Sequence, residues 1–185
     1  MKKTALIALA AAFGFGAAQA GSAPSYSKNP KAPKGPQIEV PSLCDCFDPG
    51  KAELSVYGAG IIFDGGSQDD ALGGGIGLGY FFTENVGVEF DYTLLATDSE
   101  YHNFTGNLVL RAPIKSACLA PYALVGGGFE TDSATNGIFN VGAGIDIRLG
   151  HSGSCPGIFA DARYTWNEDE ALNNVLIRVG FKVNL

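Results

Sequence analysis

Charge is scarce in this 185-residue chain: Asp, Glu, Lys and Arg make up 17% of it, below the usual quarter. Methionine occurs once, while glycine occurs 26 times. That poverty of charge and wealth of glycine exclude a coiled coil, a helical bundle or a disordered acidic protein. Beyond residue 20 no apolar run approaches the roughly 20 residues of a membrane helix. A basic face is missing too. The net charge is −7, and becomes about −9 without Lys2 and Lys3, which argues against nucleic acid as a partner.

The first 20 residues, MKKTALIALAAAFGFGAAQA, have a charged start, an apolar core and small residues at Ala18 and Ala20. They read as a secretory signal peptide cleaved after Ala20, not as a short anchor. Residues 21–50 carry Pro24, Pro30, Pro33, Pro36, Pro41 and Pro49 among Ser, Gly and Lys, and read as an extended linker. A peptidoglycan-binding or partner-docking segment is the alternative. One domain follows, over residues 51–185.

In that domain no helical period survives, whereas a period of two recurs in eight segments. Val86, Val88, Phe90, Tyr92 and Leu94 oppose Gly87, Glu89, Asp91 and Thr93. Phe104, Leu108 and Leu110 oppose Thr105, Asn107 and Arg111. Similar alternation sets Asp146, Arg148, Asp161, Arg163, Arg178 and Lys182 against apolar neighbours. The first segment, Ala52 to Phe63, and the fifth, Ala120 to Phe129, alternate too poorly to assign faces. Eight antiparallel strands with no room for crossover helices predict an all-β, eight-stranded antiparallel up-and-down barrel.

Parity alone does not say which face is inside. A soluble ligand-binding barrel in the periplasm hides the apolar set; an outer-membrane barrel shows it to lipid. The polar set, dominated by glycine, suits a crowded lumen better than a solvated exterior. The even-numbered connections read as tight, as at Thr83 to Asn85, and odd ones such as Ala96 to Asn103 as longer, the outer-membrane asymmetry. Aromatics fall into two bands: Tyr92, Phe104, Phe139 and Trp166 near the loops, Tyr80, Phe82, Tyr122 and Phe181 near the turns.

Here the residues meet a family. The segments LGGGIGLGYFFTENVGVEFDY, TGNLVLRAPI, APYALVGGGFE and VLIRVGFKVNL resemble the small eight-stranded outer-membrane barrels typified by the OmpA transmembrane domain, within the porin-like proteins. The resemblance implies outer-membrane lipid as surroundings, a monomer, and passage through the barrel-insertion machinery. That machinery usually reads a terminal aromatic residue; this chain ends in Leu185.

Glu89, Asp91, Asp146 and Asp161 face Arg111, Arg148, Arg163, Arg178 and Lys182 in the expected lumen, where narrowness forces them to pair. A paired network predicts a closed lumen and a role in envelope integrity or surface interaction. A small channel for ions or solutes is the rival reading, and a surface adhesin a further one. The odd-numbered loops hold Asp64, Asp69, Asp70, Asp98, Glu100, Glu130, Asp132, Glu168, Asp169 and Glu170 with no Lys or Arg. Solubility explains that rim, and divalent cations bridging it to anionic headgroups is the alternative. No cofactor and no ordered metal loop is expected.

Catalysis is not expected either. Ser99, Glu100 and His102 share a loop, and His151 neighbours Ser152 and Ser154, but neither set has a base oriented by a third group. The GGGIG and VGGGF runs lack the lysine of phosphate loops. The cysteines say more. Cys44 and Cys46 lie in the tail, Cys118 and Cys155 in two turns at the same end, in a compartment that favours disulfides over a thiolate metal site. A ring closed by Cys44 and Cys46 is strained, and Cys118 and Cys155 begin strands two spacings, about 10 Å, apart. One tail cysteine bridged to each turn is therefore expected.

Overall fold

The computed structural model describes residues 44–63, 70–96, 100–131, 135–150, 153–168 and 173–185. The expected signal peptide and the tail before Cys44 lie outside these residues. So do Asp64, Asp69, Asp98, Ser99, Asp132, His151, Ser152, Asp169, Glu170 and the Glu100 side chain.

The strands are β1 (Ala52–Phe63), β2 (Ala71–Phe81), β3 (Val86–Ala96), β4 (Glu100–Arg111), β5 (Leu119–Thr131), β6 (Thr135–Arg148), β7 (Gly157–Asn167) and β8 (Asn174–Asn184). Each pairs with the next, and β8 pairs antiparallel with β1, which closes the barrel and leaves no unpaired edge. The alternation read from the sequence becomes an inside and an outside. Outside, Ile76, Phe90, Val179 and Phe181 are all more than half exposed. Inside, Glu89, Asp91, Arg111, Asp146, Arg148, Asp161, Arg163, Arg178 and Lys182 are buried. The distribution inverts that of a soluble protein, with apolar surface outward and charge inward.

The two weakly alternating segments owe their blur to apolar residues on both faces. In β1, Glu53, Ser55, Tyr57, Ala59, Ile61 and Phe63 point in, and Leu54, Val56 and Ile62 point out. In β5, Ala120, Tyr122 and Leu124 are inside. Tyr122 thus corrects the expected turn-end band: it is buried and donates to Asp161 Oδ2 at 2.8 Å. Gly144 faces it across the ladder, and a Cβ there would lie 2.7 Å from the tyrosine ring.

The expected difference in connection length holds at the first, second and seventh connections, of seven, four and six residues, and is corrected at the others. Strands β3 and β4 pair up to Ala96 and Glu100, and β5 and β6 up to Thr131 and Thr135, so three residues join each pair. The connections after β4 and β6 are longer and span residues 112–118 and 149–156. Tyr101 and Thr131 favour strand and carry the ladder past the point where the polar residues suggested loop.

Aromatic side chains do ring the loop end. Tyr92 and Phe104 lie 4.5 Å apart, Phe104 and Phe129 5.2 Å, and Phe139 and Trp166 5.6 Å, across β3 to β7. Tyr80 and Phe82, 5.3 Å apart, and Phe181 mark the turn end.

Candidate functional site

The lumen holds one connected network of charge. Arg178 of β8 is at its centre: its guanidinium reaches Asp91 at 2.7 Å, Asp161 at 2.6 Å and Glu89 at 3.0 Å. Arg163 of β7 reaches Asp91 and Glu89, both at 2.8 Å. Since β3 and β7 lie opposite each other in a ring of eight, that contact crosses the bore. Nearer the turn end, Glu53 accepts Arg111 at 2.7 Å and Arg148 at 2.9 Å, and Arg148 also holds Asp146 at 2.8 Å. Lys182 links the two groups, 3.3 Å from Glu89 and 3.6 Å from Glu53.

All nine lumen residues named from the sequence enter this network. Glu53 is a tenth, and brings the balance to five acids and five bases. Glu53 and Ser55 alternating with Leu54 and Val56 were the available signal, masked further along the strand by the inward-facing Tyr57, Ile61 and Phe63. Buried charges carry a desolvation cost of several kcal/mol each, offset only by dense pairing. The strands supply that density by placing acids at two successive inward positions in β3, Glu89 and Asp91, and bases at two inward positions of β8, Arg178 and Lys182, on either side of Gly180.

Above the charges, Phe63, Leu95, Tyr101 and Leu176 fill the loop end of the lumen with apolar volume. Glu130 corrects the acidic-rim reading: it is buried beside them, where Tyr101 and Asn167 donate to it. Asp70 and Glu168 remain exposed. His102 faces outward, stacked on Tyr92, with its Nδ1 2.8 Å from the tyrosine hydroxyl.

Below the charges, the chain's own N-terminal segment enters the mouth. Cys44 is bonded to Cys118 and Cys46 to Cys155, with Cα separations of 5.4 and 5.5 Å. All four cysteines are thereby consumed. Phe47, fully buried, has Arg111 5.1 Å and Arg148 5.5 Å from its ring centroid, within cation–π range. Its carbonyl accepts from Arg111 at 3.1 Å, and that of Cys46 from Asn184 at 2.9 Å. Cys118 and Cys155 hold left-handed φ of 50° and 42°, uncommon for residues other than glycine. Outside this mouth, Lys115 donates to Glu84 at 2.6 Å, which holds its ammonium pKa above the ordinary value.

Residues 46–184 match the family model of the outer membrane protein beta-barrel domain. The chain belongs to that family. Outer-membrane barrel proteins keep a lipid-facing exterior, which accounts for the exposed apolar belt. Among solved structures, Neisserial surface protein A is 12% identical with a TM-score of 0.55, covering 72% of this chain and 95% of its own. The N-terminal barrel domain of OprF from Pseudomonas aeruginosa is 15% identical, TM-score 0.52, covering 74% and 99%. Ail, the attachment invasion locus protein of Yersinia pestis, is 14% identical, TM-score 0.52, covering 74% and 99%. At these identities the likeness is one of fold. No curated protein is similar enough in sequence to count as a match.

Membrane embedding has a direct consequence for the outer face. Ile145→Arg places a charge on the lipid-facing side of β6 and is expected to cost about 2–4 kcal/mol in a folding titration into lipid vesicles. Ser154→Arg, in an exposed turn, is expected to cost little. Equal small effects would contradict lipid contact at Ile145.

Proposed function

We propose that this chain is a non-enzymatic outer-membrane barrel with a closed lumen, serving envelope integrity or surface interaction, its cysteine-latched mouth turned to the periplasm. The observation that carries the reading is the Arg163 contact across the bore to Glu89 and Asp91, tied into Arg178. Eight strands leave an interior just wide enough for side chains, and here charged side chains bond to each other across it. Solute passing through would have to separate charges that hold one another at 2.6 to 3.0 Å. The Phe47 segment supports closure a second time, at the turn end. The periplasmic orientation is supported by its disulfides, which persist in an oxidising compartment.

The test is conductance of the purified, oxidised protein in planar bilayers. The expected record is flat, with rare and small openings. Steady, large conductance would overturn the closed lumen and establish a small channel in its place.

A further inference from the structure

Of the chain's twelve Lys and Arg, Lys2 and Lys3 belong to the leader and five more are buried in the lumen network. Lys51 and Lys115 are half-exposed at the turn end, where the Asp45 carbonyl and Glu84 accept from them. None lies in the odd-numbered loops. The others are Lys28, Lys31 and Lys34, and they repeat one triplet: Lys28-Asn29-Pro30, Lys31-Ala32-Pro33, Lys34-Gly35-Pro36. All of these precede the described residues. Between residue 21 and Cys44 a single acid, Glu39, opposes them.

The triplet limits what the segment can offer a partner. Proline at every third position removes every third amide donor, so the segment cannot add a regular strand to a partner sheet. The recurring groups that are left are ammonium ions. Each alone contributes little, because water and salt screen a solvated ion pair. Successive lysines lie at most about 10 Å apart along the backbone, so they act together only on a partner whose anions recur at spacings of that order.

The anchor on which the segment ends is described. Cys44 and Cys46 are bonded to two different turns, at Cys118 and Cys155, and Phe47 is buried behind them. Strand β1 begins soon after, at Ala52. Without the bridges, tension on the tail would bear on Ala52 and peel β1 from β2 and β8 one ladder bond after another. With them, tension passes into the turns before β5 and β7, and β1 is spared. Such an anchor suits a tail held at its far end.

We propose that the Lys-x-Pro triplets bind peptidoglycan through the carboxylates that its stem peptides repeat, and that the cysteine latch carries this tether into the barrel. The inference rests on the periplasmic orientation proposed above and goes beyond it, since it names the binding surface and its partner. Lys34 stands ten residues before Cys44 and Lys28 sixteen, a covalent reach of up to about 35 and 55 Å. Anionic headgroups of the surrounding leaflet lie beside the mouth and need no such spacer. A mesh that stands off the membrane does.

The test co-sediments the purified, oxidised chain with its tail, in non-ionic detergent, with isolated peptidoglycan sacculi, and folding is checked by the heat-modifiable gel shift. The chain is expected to pellet at low salt and to be released at high salt. Lys28→Gln with Lys31→Gln and Lys34→Gln should lower the pelleted fraction about ten-fold. Lys28→Arg with Lys31→Arg and Lys34→Arg should pellet like the parent. Sacculi with amidated carboxyls should hold the parent no better than untreated sacculi hold the glutamine variant. Should the glutamine variant fail to fold, salt release and the amidated sacculi carry the test. No pelleting of the parent, equal pelleting of the glutamine variant, or undiminished pelleting on amidated sacculi would overturn the proposal. Tighter retention through the same lysines on vesicles of phosphatidylethanolamine and phosphatidylglycerol would also overturn it, and would make the leaflet the partner. Labelling of Lys28, Lys31 and Lys34 by an impermeant amine reagent on intact cells would instead strike the periplasmic orientation, whatever the sacculi bind.

Discussion

Arg178→Met is expected to lower unfolding stability by about 3–5 kcal/mol, the cost of removing one partner from a buried ionic cluster. Arg178 is fully buried and bonded to Asp91, Asp161 and Glu89. Methionine fills much of the volume but leaves those carboxylates with Arg163 and Lys182 as their remaining cations. The measurement is a urea titration of the refolded barrel in lipid. Adding Asp91→Asn and Asp161→Asn is expected to recover much of the loss, because the penalty belongs to unpaired charge and not to a missing contact. The single variant should also conduct more, since carboxylates without partners recruit water. A loss under 1 kcal/mol would mean that the network tolerates a gap at its centre, and the closed lumen would lose its argument.

Cys46→Ser with Cys155→Ser is expected to cost about 4–5 kcal/mol in the chain-entropy account of disulfides. The bridge closes 109 residues of chain and the Cys44–Cys118 bridge 74. A long closed loop is a large restriction on the unfolded chain, and removing Cys44–Cys118 should cost a similar amount. The readout is the urea midpoint of oxidised protein against each pair of variants. Loss of both bridges should free Phe47 from Arg111 and Arg148 and raise the frequency of openings in bilayers, while the charges behind it still limit their size. If stability is unchanged in both pairs, the latch is idle.

How much of this was legible from the residues depends on how cleanly each strand alternates. In β3, with Glu89, Asp91 and Thr93 between large apolar residues, both the strand and its facing could be read directly. In β1 and β5 they could not. Tyr57, Ile61 and Phe63 point inward and are as apolar as the residues outside, so period two carries no contrast there. Glu53 was lost with that face, although it anchors Arg111 and Arg148. Tyr122 was misplaced because an apolar ring suits lipid, and only the pairing with Gly144 reveals room for it inside. Glu130 was read as rim because acids are normally solvated; its burial depends on Tyr101 and Asn167, residues distant in sequence. The disulfide geometry was more tractable, since ring strain disfavours Cys44–Cys46 and strand spacing disfavours Cys118–Cys155 in the folded barrel.

The order of the cysteines along the chain sets a problem in assembly. The two bridges interleave, 44 with 118 and 46 with 155. A chain delivered from its N-terminus presents Cys44 and Cys46 together, long before either native partner. Oxidation in order of arrival would join 44 to 46 and 118 to 155, and neither of those bonds is native. Reaching the observed connectivity therefore requires either that oxidation waits until β4 and β6 have docked, or that an early bond is exchanged by an attacking thiolate. Maturation is thus coupled to the thiol chemistry of the envelope, and a cell that oxidises without reshuffling should accumulate barrels whose mouths are sealed by the wrong bonds.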